Sequence, residues 1–176
     1  EPGEEITVTF AGQSKTAKAD ADGKWRVKLD PLTEGGPHLL TIQGRNTITV
    51  KDVLVGEVWL CSGQSNMAFP LAQAKEGKEA ISNAADATLR LFTVARKAED
   101  KPCEDTAGQW QESSSNTAAK FSAVAYFFGR ELHGALKVPI GLINSSVGGT
   151  PAEAWTSRAA LEADPELKSI LDRYAE

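Results

Sequence analysis

The strongest constraint in this chain is an apolar run that breaks at a single turn. Val53-Leu54-Val55 and Val58-Trp59-Leu60 form a nearly continuous apolar strand, interrupted by Gly56 and Glu57. A strand of a parallel sheet covered on both faces needs such a run, and Glu57 marks its edge or start. The run leads into Cys61-Ser62-Gly63-Gln64-Ser65-Asn66-Met67. Open α/β sheets hold their ligands beyond the carboxyl ends of strands, so this turn is the first place to look for chemistry. A serine needs a base to take its proton and donors to face the oxyanion it generates. Ser65, two residues past Gly63, is the candidate nucleophile, and its own backbone N–H is a candidate oxyanion donor. Gly63 allows the sharp turn, and Asn66 is expected to hold it through its side-chain amide. Met67 stands where the second glycine of a Gly-x-Ser-x-Gly elbow would be, so this is not that elbow. Gly-Gln-Ser-Asn also reads as a plain polar turn.

Composition narrows the class. Of 176 residues, 41% are hydrophobic and 24% charged, as in an ordinary globular protein. A net charge of −5 argues against nucleic-acid binding, which calls for a basic patch. No apolar stretch is long enough to span a bilayer. Cys61 and Cys103 are too few for a disulfide framework and lack metal-ligand spacing; Cys61 reads as a buried free thiol. The chain opens at Glu1-Pro2-Gly3 without an initiator Met, and no signal peptide is visible.

Residues 1–52 read as a β-sandwich-like unit, incomplete at its N-terminus. Ile6, Val8 and Phe10 alternate with Thr7 and Thr9. Asp22-Gly23 signals a hairpin between Lys15–Ala19 and a strand over Trp25–Leu29. Gly35-Gly36-Pro37 is a break, and two further strands, Leu40–Ile42 and Ile48–Val50, flank Gly44-Arg45-Asn46. His38 reads as a packing residue.

Residues 53–176 read as alternating strands and helices. The expected elements are a surface helix over Leu71–Ala85, a strand over Leu89–Val94, and a polar loop from Ala95 to Asn116 containing Pro102, Cys103 and Gly108. Trp110 is expected to fold back over a core edge. Val124, Phe127, Phe128, Leu132, Ala135 and Leu136 share one face of a helix over Ser122–Lys137, with Ser122 as N-cap. His133 lies one position off that stripe, with no acidic partner identified by the sequence. Pro139–Asn144 is a third strand, and the alternation implies a parallel sheet.

The third strand runs into Ser145-Ser146-Val147-Gly148-Gly149-Thr150-Pro151-Ala152-Glu153-Ala154-Trp155. Two glycines followed by a proline at a helix start leave backbone N–H groups free for an anion or oxyanion. Gly148 and Gly149 are therefore the second candidate oxyanion donors, at the same sheet edge as Ser65. Gln64, Asn66, Thr150, Glu153 and Trp155 are candidates for lining the substrate pocket. Asn144-Ser145-Ser146 fits a glycosylation sequon, but the end of a core strand is a poor place for one.

The two stretches, Trp59 to Met67 and Pro139–Ile143 leading into Gly148-Gly149-Thr150-Pro151 and Glu153-Ala154-Trp155, resemble the sialate O-acetylesterase family of SGNH hydrolases. The resemblance extends over essentially the whole chain. It implies an α/β fold: a β-sandwich-like segment, then the first part of an SGNH-hydrolase (flavodoxin-like) parallel sheet with flanking helices. It implies a serine esterase acting through an acetyl-enzyme on O-acetylated sugars, sialic acids or plant polysaccharides. No metal or cofactor is expected, and secretion, a periplasmic location or the lysosome is. Family members also carry a Gln-Gly-Glu stretch with a nearby Asn, and an Asp and a His near the C-terminus. This sequence has none of them, and neither His38 nor His133 sits in an Asp-x-x-His context. The chain thus reads as truncated at both ends. Alone it is expected to be nearly inactive, its partner being the missing C-terminal half of the catalytic domain. Two other readings compete: a carbohydrate-binding or structural module using Trp25, Trp110 and Trp155, and an esterase or lipase of small or lipid esters.

Overall fold

The computed structural model describes residues 1–97 and 103–173. Pro102, expected in a loop, lies outside them, as do the last residues of the expected C-terminal helical stretch. The fold consists of two four-stranded sheets, the second flanked by helices.

The first sheet is antiparallel, with strand order β2-β1-β3-β4. β1 (Glu5–Phe10) and β2 (Gln13–Lys18) are joined by Ala11 and Gly12, both at positive φ, which suits the twist of a tight hairpin. Ile6 and Val8 are buried with Ala19, as the alternation predicts. The expected turn after β2 is present: the Asp20 carboxylate accepts hydrogen bonds from the backbone N–H groups of Asp22 and Lys24, both at 2.9 Å. The expected strand over Trp25–Leu29 is not. β2, its expected partner, is an edge strand, and this segment leaves that edge unpaired. Val27 packs on the Ile6–Val8–Ala19 cluster. Lys15 Nζ, 2.7 Å from Asp30 Oδ2, and Gln13, bonded to the Asp30 backbone, tie the segment's end to β2.

β3 (Gly35–Gln43) begins inside the expected Gly-Gly-Pro break, with register shifts around His38 absorbing the irregularity. β4 (Thr47–Val55) takes in Val53–Val55, which the sequence reading joined to the next strand. Asp52, at φ 60, redirects β4, and the change of sheet falls at Gly56. Asp52 Oδ2 accepts a 2.8 Å hydrogen bond from Arg90 of the second sheet. That bond holds the Asp52 carboxyl below its ordinary value, against a smaller opposing effect of burial.

The second sheet has order β5-β8-β6-β7: β5 (Glu57–Gly63), β8 (Ile140–Ser146) and β6 (Asp86–Thr93) are parallel, and β7 (Trp110–Ser113) is an antiparallel edge. β7 and the short α3 (Ser115–Ala118) occupy the far part of the expected loop. Trp110 packs against Phe92 and lies over Gly141, covering one edge of the sheet as expected.

α4 (Ala123–Leu136) matches the expected helix in extent, with Ser122 Oγ accepting from the Ala125 N–H as N-cap and Lys137 closing it in the left-handed conformation. Its buried residues, however, are Ala123, Ala125, Tyr126 and Gly129, while Val124, Phe128, Ala135 and Leu136 of the expected apolar face are exposed. α4 packs so closely on β8 that a Cβ on Gly129 would lie 2.5 Å from Leu142 Cδ1. Tyr126 and Leu142 are fully buried there, with Ile140, Leu89 and Leu91 alongside.

Leu71–Ala85 is not one surface helix. A 3-10 turn over Leu71–Gln73 precedes the short α2 (Gly77–Ser82), and Leu71, Ala80 and Ala84 are buried. The alanines serve the core, and Gly77 passes so near Leu71 that a Cβ would lie 1.9 Å from its carbonyl oxygen. α1 (Ser65–Ala68) follows β5, and α5 (Arg158–Ala163) and α6 (Lys168–Asp172) follow β8.

His133 has the acidic partner that the sequence did not identify. Its Nδ1 lies 3.1 Å from Asp86 Oδ2 and its Nε2 2.9 Å from Thr88 Oγ1, which ties the end of α4 to the start of β6. Burial alone would raise the Asp86 carboxyl. The Thr88 hydroxyl and N–H, with the charge of His133 and the Leu89 N–H, outweigh it and hold Asp86 below its ordinary value.

Two stability measurements follow from this packing. Leu142→Ala is expected to lower unfolding free energy by about 2–5 kcal/mol in urea denaturation, because the void faces a close-packed helix. A carboxyl depressed in the folded state adds stability above its unfolded pKa and loses it as pH falls through the folded one. The gap in thermal midpoint between the parent and Asp86→Asn is therefore expected to be full near neutral pH. It should close as the solution is acidified below the ordinary aspartate value.

Candidate active site

The register of β5 on β8 determines the site. Gly63 pairs with Ser146, so both strands end level, and the Val147 N–H donates to the Gly63 carbonyl at 3.0 Å. The two turns that follow must then lie side by side. Gly63, at φ 140, turns the chain out of the sheet, where a side chain would be strained. Ser65 comes to rest exposed at the start of α1.

Gly149 meets it from the other turn. Its N–H donates to Ser65 Oγ at 3.3 Å. Gly149 has φ 80, a conformation glycine adopts freely. At Gly148 a Cβ would lie 3.4 Å from the same hydroxyl, an ordinary contact, so Gly148 lines the approach to Ser65. The Thr150 hydroxyl donates to the Val147 carbonyl at 2.7 Å and accepts from Trp155 Nε1 at 2.8 Å, tying the turn together. Glu153 faces Arg173 at 3.6 Å. Thr150 thus braces the second turn with Trp155 locked into the same network, and the Glu153–Arg173 pair links it to the end of α6.

The brace of the first turn is not the expected one. The Asn66 side chain makes no hydrogen bond among the described residues. Gln64 holds the turn instead. Its Oε1 accepts from the Ser65 N–H at 2.9 Å and from the Ser65 hydroxyl at 2.9 Å. A backbone N–H can only donate, so the amide oxygen must be the atom facing Ser65. The sequence signal was available in a polar side chain adjacent to the serine at a helix start, but Asn is the commoner turn residue and drew the assignment.

Neither histidine reaches this site. His38 lies in the first sheet, edge-on to Phe10 with ring centroids 5.5 Å apart. His133 and Asp86 sit where β6 begins, whereas Ser65 follows the end of the parallel β5. At strand rise the two edges are about 25 Å apart. Among the described residues no cluster of His, Cys, Asp or Glu could hold a metal ion. Cys61 is buried, and that burial raises its thiol pKa and keeps it inert. Asn144 is also buried, with Oδ1 accepting from Ser146 Oγ at 2.7 Å, so the sequon is inaccessible in the fold. Trp25, Trp110 and Trp155 are part-exposed, in the segment after β2, on β7 and in the turn after β8. A groove between the sheets, lined by Leu54, Val58, Arg90, Trp110 and Gly141, opens at the amino ends of β5 and β8, away from Ser65.

Comparison with known proteins resolves the family. The family model described as carbohydrate esterase, sialic acid-specific acetylesterase, matches residues 55–175. The chain belongs to this family. It is 39% identical to sialate O-acetylesterase of Homo sapiens, over 92% of this chain and 35% of that protein. With sialate O-acetylesterase of Rattus norvegicus the identity is 40%, over 92% of this chain and 33% of the relative. The crystal structure of a carbohydrate acetylesterase from Xanthomonas citri superposes with a TM-score of 0.89 at 44% identity, covering 92% of this chain and 38% of that one. The chain thus spans about a third of the length of its acetylesterase relatives. The mixed α/β architecture agrees with the resemblance read from the two turns. No helix of the described residues is long and apolar enough to cross a membrane.

Gly149→Ala is expected to lower stability by about 1–2 kcal/mol, the usual penalty of placing a side chain in the left-handed region. The urea midpoint of the variant checks it.

Proposed function

We propose that this acetylesterase chain carries the nucleophilic half of a carbohydrate O-acetylesterase site, with Ser65 as the nucleophile. The observation that carries the proposal is the 3.3 Å approach of the Gly149 N–H to Ser65 Oγ. Hydrolysis of an acetyl ester needs a nucleophilic oxygen beside donors aimed where negative charge develops. Ser65 Oγ attacks the acetyl carbonyl carbon and gives up its proton to a base. The carbonyl oxygen becomes an oxyanion facing the N–H groups of Ser65 and of Gly149 or Gly148. Collapse expels the sugar hydroxyl, which takes the proton, and leaves acetyl-Ser65. Water then attacks the acyl group, and acetate departs. The named relatives act on sialate O-acetyl groups or on carbohydrate acetyl esters, and the substrate class proposed is an O-acetylated sugar.

The base comes from polypeptide beyond this chain. His133 and His38 lie away from Ser65, and the second sheet has an unfilled side. β5 is an edge strand with Val58 61% and Leu60 68% exposed, although parallel sheets are covered on both faces. The additional length of the relatives is consistent with a C-terminal half that completes the sheet and supplies an acid–histidine pair.

Acetate release from an O-acetylated sugar tests this directly. The full-length protein is expected to turn over, and Ser65→Ala to lose at least about 10⁴-fold in kcat. The chain ending at Glu176 is expected to show only a small residual rate, because oxyanion stabilisation survives without a base. Full activity in Ser65→Ala would move the chemistry elsewhere.

A further inference from the structure

Among the described residues, the Gln64 amide oxygen is the acceptor that meets both Ser65 donors, its N–H and its hydroxyl, each at 2.9 Å. An ester carbonyl oxygen needs the same N–H when Ser65 attacks, and a catalytic base needs the same hydroxyl proton. The Gly149 N–H meanwhile points at Ser65 Oγ. Gln64 therefore satisfies, in the resting site, the groups that the reaction must free. We propose that Gln64 is a resting-state plug of the oxyanion position, displaced by the acetyl carbonyl and returning when acetate leaves. The proposal rests on Ser65 being the nucleophile.

Three features support it. The amide orientation is fixed by the backbone donor it accepts from. Gln64 is exposed, so its side chain swings out without disturbing the core. The Ser65 N–H is left with a partner in both states, Gln64 at rest and the oxyanion during reaction, which avoids an unsatisfied donor.

Two substitutions in the full-length protein push this device in opposite directions. Gln64→Met keeps length and volume but removes the acceptor. It is expected to lower KM for a small acetyl ester about 5-fold, one hydrogen bond's worth, and to speed labelling of Ser65 by a fluorophosphonate by a similar factor. Gln64→Glu presents a charged acceptor, which bonds more strongly. It is expected to raise KM and slow labelling by about 10-fold. A residue that only braced the turn would make both variants worse together. Circular dichroism and thermal midpoints check that both variants fold. If the parent is labelled at Ser65 and both variants are labelled more slowly, the plug is wrong and the nucleophile stands. If the parent is not labelled at Ser65 and Ser65→Ala keeps its activity, the nucleophile and the plug fall together.

Discussion

The pairing of Gly63 with Ser146 is the constraint on which the site depends. Two parallel strands that end level release their chains at the same edge, and what each chain does next is set by glycine. A slip of one residue would turn every β5 side chain to the opposite face, because side chains alternate. Trp59 would leave Phe128 on α4, where the two rings now meet at 5.1 Å, and Cys61 would leave the core. The hydrophobic register of β5 and the position of Ser65 are thus the same fact seen at two ends of one strand.

Packing then fixes the partner turn. Leu142 and Ile140 anchor β8 under α4, and Gly129 lets the helix approach closely enough to exclude water. β8 lies between β5 and β6, the most protected place in this sheet, so its exit is rigidly aimed. The turn beyond it is braced by the Thr150 hydroxyl and Trp155. A rigid strand, a left-handed glycine and a side-chain brace together bring a backbone N–H to a hydroxyl that is distant in sequence.

What was legible in the sequence was what one element decides alone. The extent of α4 was readable because helical spacing runs for four turns and Ser122 caps it, but the apolar stripe did not give the buried face, which small residues and Tyr126 form against β8. The two turns were readable as turns because each follows an apolar run and carries a strand-breaking glycine. Where neighbours decide, the pattern misled. Trp25–Leu29 alternates like a strand, yet it packs Val27 on the core of the first sheet instead of pairing with the free edge of β2. Leu71–Ala85 has helix-forming composition, but burial of Leu71 and Ala84 bends it into shorter pieces. His133 finds Thr88 from 45 residues away, a contact no local pattern announces. At the site itself the meeting of the Ser65 turn and the Gly148-Gly149 turn at one sheet edge was anticipated. The brace was assigned to Asn66 from turn statistics, and only the geometry shows Gln64 in that place.

The most direct test of the account is to trap the acetyl-enzyme. The full-length protein, mixed with an acetyl ester and quenched in acid within a turnover, would be digested and its peptides weighed. The account predicts one acetyl group on the peptide spanning β5 and α1, mapped by fragmentation to Ser65. An acetyl group on any other residue, or rapid turnover with no acetylated peptide at any quench time, would contradict it.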